Sequence, residues 1–124
     1  MAREEWEAIA TALGGLPAAV ADAARRRIRE SAGAARPVVC PLLDIKSGAC
    51  LVYDARPVAC RAYGFYAERE SVLGCGRIES IGRRSPDVVW GHHAALEESL
   101  RPLGEPAGLA AWLQAGPTAP TGPL

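Results

Sequence analysis

Residues 40–66 read CPLLDIKSGACLVYDARPVACRAYGFY and place cysteines at positions 40, 50 and 60. The stretch has neither the 3.6-residue period of an amphipathic helix nor the strict alternation of a half-buried strand. Prolines and glycines punctuate it, which favours turns over long regular elements. The sequence therefore predicts an irregular segment that hydrophobic burial alone leaves marginal and that needs another source of order.

Helical periodicity precedes this segment. Trp6, Ile9 and Leu13 recur at helical spacing and predict a first helix over residues 3–13. A second helix is expected from Pro17 to about Gly33, with arginines in its last turns, where the helix dipole favours positive charge. We interpret that arginine run as a solvated helix end.

Within and after the segment, local signals predict shorter elements. We expect a short strand at residues 51–53 and a short helix that opens at Pro57. A third long helix is expected to start at Ser85-Pro86 and continue to Leu100, and a last one to cover residues 108–114. The predicted fold is mainly α, with a small α+β fold as the alternative. Helices flank an irregular cysteine-rich segment that holds at most a short hairpin.

Length and charge limit the classes of protein that fit this chain. Its 124 residues predict one domain over residues 1–116, followed by a disordered proline-rich tail at 117–124. Fourteen basic and fourteen acidic side chains cancel, so we expect no nucleic-acid partner. No run approaches the roughly 20 apolar residues of a membrane span, so we expect no membrane partner either. The acidic start lacks the features of a secretory signal, which predicts a cytoplasmic protein whose cysteines stay reduced.

Four cysteines carry the chemistry that the sequence makes visible: Cys40, Cys50, Cys60 and Cys75. Four thiolates satisfy a tetrahedral zinc ion or an iron–sulfur cluster. The spacing contains no C-x2-C pair and by itself leaves buried structural thiols and a redox or catalytic thiol as alternatives.

The residues around the cysteines narrow these alternatives. CPLLD at 40–44, GACLVY at 48–53 and RPVACR at 56–61 resemble the YkgJ-like cysteine-cluster family (CxxCxxCC type), which is described as zinc- or iron-chelating. The resemblance covers about residues 37–76 and implies a cytosolic bacterial protein with a zinc, iron or iron–sulfur centre on the four cysteines. Such proteins commonly carry an upstream cysteine cluster, whereas residues 1–39 here contain no cysteine.

Charged residues beside the cysteines are candidates for support of the site. Arg56 and Arg61 are expected to hydrogen-bond to sulfurs, to backbone carbonyls or to Asp44 and Asp54. We favour this supporting role over capture of an anionic substrate.

Two adjacent histidines follow the cysteine segment, and their role is left open. His92 or His93 would complete a site of three cysteines and one histidine, but four cysteines already fill the coordination shell. An exposed or core-edge position is the simpler expectation for both side chains.

The sequence leaves catalysis open and supports three functions. The first is a small protein that binds zinc, iron or an iron–sulfur cluster through four cysteines. The second is an iron–sulfur redox protein or electron carrier. The third is an interaction module that zinc holds together and whose Trp6 and Trp112 faces meet a protein partner.

Overall fold

The computed structural model describes residues 1–68, 71–72 and 74–116, so the predicted tail at 117–124 lies outside the described residues. In these residues the fold is mainly α with small strands. The helices are α1 (Arg3–Gly14), α2 (Ala18–Glu30), α3 (Val58–Ala62), α4 (Gly76–Arg83), α5 (His93–Leu100) and α6 (Leu109–Ala115). The strands are β1 (Leu43–Asp44), β2 (Ala49–Cys50), β3 (Tyr66–Glu68), β4 (Ser71–Val72) and β5 (Gly91–His92). Single turns of 3-10 helix cover Tyr53–Ala55 and Arg101–Leu103.

The first two helices and the last one follow their sequence periodicity. Helix α1 buries Trp6, Ile9 and Leu13 on one face, as the predicted first helix requires. Helix α2 starts after Pro17 and ends at Glu30, slightly before the predicted glycine. Helix α6 begins after Gly108, confirming the predicted last helix, and it packs against both α1 and α2.

Both ends of the described chain meet in this helical group. The Met1 ammonium donates to the carbonyl oxygen of Ala107 at 2.9 Å, and the Ala107 amide donates to the Met1 carbonyl oxygen at 2.9 Å. The indole nitrogen of Trp112 donates to the same Met1 oxygen at 3.0 Å. These contacts hold the start of α1 against α6.

The cysteine-rich segment shares the core with these helices, which corrects part of our expectation. Leu42 and Val52 are each 4% exposed and belong to the same buried cluster as Trp6, Ile9 and Ile28. Burial therefore anchors two points of the segment, although sequence periodicity gave no sign of it.

Two small sheets replace the predicted short strand. Strands β1 and β2 form an antiparallel hairpin with Leu43 opposite Cys50. Leu51 and Val52 form a turn and Tyr53 begins a 3-10 turn, so the strand predicted at residues 51–53 is wrong; the strand lies just before it, at Ala49–Cys50. The short helix predicted at Pro57 is confirmed as α3. In the second sheet β3 lies between antiparallel β4 and parallel β5.

The predicted long helix from Ser85 is wrong. Residues 86–90 form turns and irregular structure, and the helix begins at His93, after Gly91 and His92 have paired with β3. A Cβ on Gly91 would overlap the ring of Tyr66, so the strand pairing uses the missing side chain. Helix α4 was not predicted.

Candidate metal centre

Cys40 and Cys50 are brought together by the β1–β2 hairpin. The Leu43 amide donates to the Cys40 carbonyl oxygen at 3.1 Å, which folds Cys40 back in a turn immediately before β1. Cys50 lies opposite Leu43 in the antiparallel register, and the Leu51 amide donates to the Leu42 carbonyl oxygen at 2.9 Å. Opposed residues of an antiparallel pair have Cα atoms about 5 Å apart. The turn and the register thus place both cysteines at the open end of one hairpin.

Cys60 lies on α3, and the first turn of that helix is fixed by a glutamate that is distant in sequence. The Glu5 carboxylate accepts from the Val58 amide at 2.7 Å with one oxygen and from the Ala2 amide at 2.7 Å with the other. Glu5 therefore joins the start of α1 to the start of α3. Sequence reasoning missed Glu5 because a capping box is recognised by a Ser or Thr three residues earlier, and Ala2 stands there.

Arginines fix the chain around Cys60 through backbone carbonyls. Arg61 donates from Nε to the Arg56 oxygen at 2.8 Å and from Nη2 to the Asp54 oxygen at 2.7 Å. Arg56 donates from Nε to the Tyr53 oxygen at 2.9 Å, and its guanidinium stacks on the Tyr53 ring at 3.7 Å from the centroid. Both arginines thus donate to backbone carbonyl oxygens, which are one of the kinds of partner that the sequence led us to expect. Their proposed support of a metal stays a prediction.

Asp44 serves the hairpin turn. Its carboxylate accepts from the Ser47 hydroxyl at 2.7 Å and from the Lys46 amide at 3.2 Å. The Ser47 bond and then the Lys46 amide lower the pKa of Asp44 below its ordinary value of 3.8. Asp44 thus shapes the turn between β1 and β2, while Asp54 reaches Arg61 through its backbone oxygen.

The four cysteines are free thiols, with Cys50 half-buried and the other three exposed. Burial raises the pKa of the Cys60 thiol, and negative charge on Cys40, Cys50 and Glu5 raises it further, while Arg56 opposes them. Partial burial is the largest cause of this shift, and the charge of Cys40 and Cys50 adds to it. A cation bound beside Cys60 would offset that charge.

Cys75 has different surroundings. It is the residue that precedes the first turn of α4. The backbone N–H groups of Ile78 and then Arg77 lower the pKa of its thiol, because they stabilise the thiolate at the start of the helix.

The described parts of the chain contain no group of three or more Cys, His, Asp or Glu side chains that is placed to hold a metal ion. The four-cysteine centre therefore stays a prediction. Free thiols are the donors that thiophilic metals prefer, and the charge of Cys40 and Cys50 acts on Cys60. Zinc and iron–sulfur clusters both accept such ligands.

The histidines and tryptophans occupy structural positions. His92 caps α5, because its Nδ1 accepts a hydrogen bond from the Ala95 amide at 3.1 Å. His93 is half-buried, and its Nε2 lies 3.7 Å from a carboxylate oxygen of Glu97. Trp6 is a core residue at 8% exposure, and Trp112 packs against the same cluster. Trp6 therefore presents little surface for a partner.

No family model, curated protein or solved structure matches this chain. Among the residues that the structure describes, no helix combines the length and the apolar character that crossing a bilayer requires.

Proposed function

We propose that this protein binds a thiophilic metal, namely zinc, iron or an iron–sulfur cluster, through the cysteines of residues 40–75. One observation supports the proposal: Cys40 and Cys50 lie on one hairpin, through the Leu43–Cys40 turn and the Leu43–Cys50 register, and their charge raises the pKa of the Cys60 thiol. The sequence predicts Cys75 as a fourth ligand. The resemblance to the YkgJ-like cysteine-cluster family supports the same function from the residues around the cysteines.

Repulsion among thiolates explains why a metal suits this neighbourhood better than bare thiols. Each negative charge added near Cys60 makes the next deprotonation harder, and a bound cation removes that penalty. The positive charge of Arg56 offsets part of this repulsion, because it lowers the pKa of Cys60. Its planar guanidinium also holds its place by stacking on Tyr53.

Elemental analysis and an optical spectrum of protein purified without oxygen test this function directly. We expect stoichiometric metal, with a colourless protein for zinc and visible absorption for an iron–sulfur cluster. Cys60→Ser should lose the metal, whereas Ala59→Ser, which alters the neighbouring exposed residue of α3, should retain it. Trace metal in the parent protein, or equal retention in both variants, would refute the proposal.

The same preparation tests the role of Arg56. Arg56→Lys keeps the charge but loses the Nε bond to the Tyr53 oxygen and the planar stacking. We expect faster release of the metal to a chelator than from the parent protein. An unchanged release rate would assign Arg56 to the local turn alone.

A further inference from the structure

Buried side chains are confined to one part of this protein. All buried residues of the described ranges lie at or before Ala62. Residues 63–103 form β3, β4, β5, α4 and α5, yet none of the side chains described there is buried. Five large apolar side chains of this part are exposed: Tyr63, Phe65, Ile81, Val88 and, at 92% exposure, Val89. Apolar burial is the main force that stabilises a fold, so this part of the chain needs cover from another surface.

Contacts join the three segments that carry these exposed side chains. The Gly91 amide donates to the Phe65 carbonyl oxygen at 2.9 Å, which brings the residues after Val89 to the start of β3. Gly82 of α4 lies against the Trp90 ring, because a Cβ on this glycine would overlap that ring. The five side chains therefore belong to one region, which we call the exposed apolar surface. Monomeric proteins rarely expose a large contiguous surface of this kind.

The total surface of the chain is larger than that of a compact monomer. A folded monomer of 13.0 kDa exposes about 6,300 Å², whereas this chain exposes 9233 Å². The residues outside the described ranges, even if they were fully exposed, account for about 1,600 Å² of the difference. The excess that remains is about 1,300 Å², and each partner in a protein–protein interface of standard size buries about 800 Å².

Charges beside the exposed apolar surface suit a second copy of the same chain. Helix α4 and Arg84, which follows it, carry three arginines and one glutamate. Helix α5 packs against β3 and carries two glutamates but no arginine or lysine. Among the described residues, only Glu98 of this helix pairs with an arginine, Arg101. Each copy thus offers a basic helix and an acidic helix, and the neutral total charge of the chain does not oppose association.

We propose that a second copy of this chain covers the exposed apolar surface and that the protein is a twofold homodimer. In a twofold interface the same surface is used by both copies, so every contact occurs twice. The excess area is enough for such an interface, and the two charged helices supply complementary partners at its edges.

The mass of the full chain in solution, measured by light scattering or sedimentation, tests this proposal. At about 10 µM we expect twice the chain mass of 13.0 kDa. Val89→Lys should weaken dimerisation by about 100-fold or more, because each dimer loses two buried valines and must bury two charges. Ile45→Lys is the matched control. Ile45 is also a large apolar residue, 77% exposed, but it lies in the turn between β1 and β2, so this variant should keep the parent mass.

Circular dichroism checks that the variants keep the parent fold, and Phe65→Lys provides a second substitution in the exposed apolar surface with the same expected effect. A parent protein that stays monomeric up to about 100 µM would overturn the proposal. So would lysine variants of Val89 and Phe65 that dimerise as tightly as the parent, or an Ile45→Lys variant that dissociates as readily as they do. A dimer that contains no metal would support this inference and count only against the proposed function.

Discussion

Replacing Glu5 by glutamine should destabilise this protein far more than the same change one residue earlier. The Glu5 carboxylate accepts two backbone N–H bonds of 2.7 Å, one from Ala2 and one from Val58. A hydrogen bond to a charged group contributes about 1.5–3 kcal/mol. Glutamine keeps one neutral oxygen as acceptor, but its NH2 group faces the second N–H donor. Glu5 is only half-buried, which reduces the cost of losing these bonds. We therefore expect a loss of about 2 kcal/mol.

Urea unfolding followed by circular dichroism measures this loss. With an m-value of about 2 kcal/mol/M, the midpoint should fall by about 1 M. Glu4→Gln is the matched control, because Glu4 is exposed in the same first turn and makes only the helix-dipole contribution, about 0.3–1 kcal/mol. Equal midpoint shifts in the two variants would refute the role of Glu5 as a tie between α1 and α3.

Two further predictions concern the cysteine-rich segment and its neighbour α4. Gly64 has φ of +87° and faces Ile78, so Gly64→Ala should lower the free energy of unfolding by about 1–2 kcal/mol, measured by heat or urea. Gly76→Ala is the control: no atom lies within 4 Å of the added Cβ, so this variant should be neutral or stabilising. The lowered pKa of Asp44 stabilises the hairpin above pH 3.8, its ordinary value, and that contribution is lost as the pH falls through the lower folded value. Amide exchange in the turn should accelerate over that acid range, and Asp44→Asn, which keeps an acceptor for Ser47 but cannot ionise, should flatten the dependence.

The sequence predicts helices where apolar residues recur on one face and fails where tertiary contacts decide. Helix α1 has Trp6, Ile9 and Leu13 in register, and the whole face is buried. Helix α4 has glycines at positions 76 and 82, only Ile78 and Ile81 as large apolar side chains, and no buried residue. It is stabilised by Ile78 against Gly64 and by Trp90 beside Gly82, contacts that no local pattern reveals.

The helix signal at Ser85-Pro86 was overridden for a similar reason. Pairing of Gly91 with Tyr66 and of His92 with Ala67 in the second sheet takes these two residues out of the predicted helix, which begins only at His93. The candidate site likewise could be predicted only in part. The sequence alone indicated its cysteines and arginines. The hydrogen bond from the Val58 amide to Glu5 joins residues 53 positions apart and is seen only in the structure.

The contact between Met1 and Ala107 has a consequence for synthesis on the ribosome. The pair is separated by 106 positions, so α1 cannot complete its packing against α6 until nearly all of the described chain has emerged. Helices α1 and α2 are neighbours in sequence and can associate earlier, because closing a short loop costs less entropy. The cysteines at positions 40, 50, 60 and 75 emerge before α6. The nascent chain therefore presents its thiols to metal and to oxidants before the last helix closes the core.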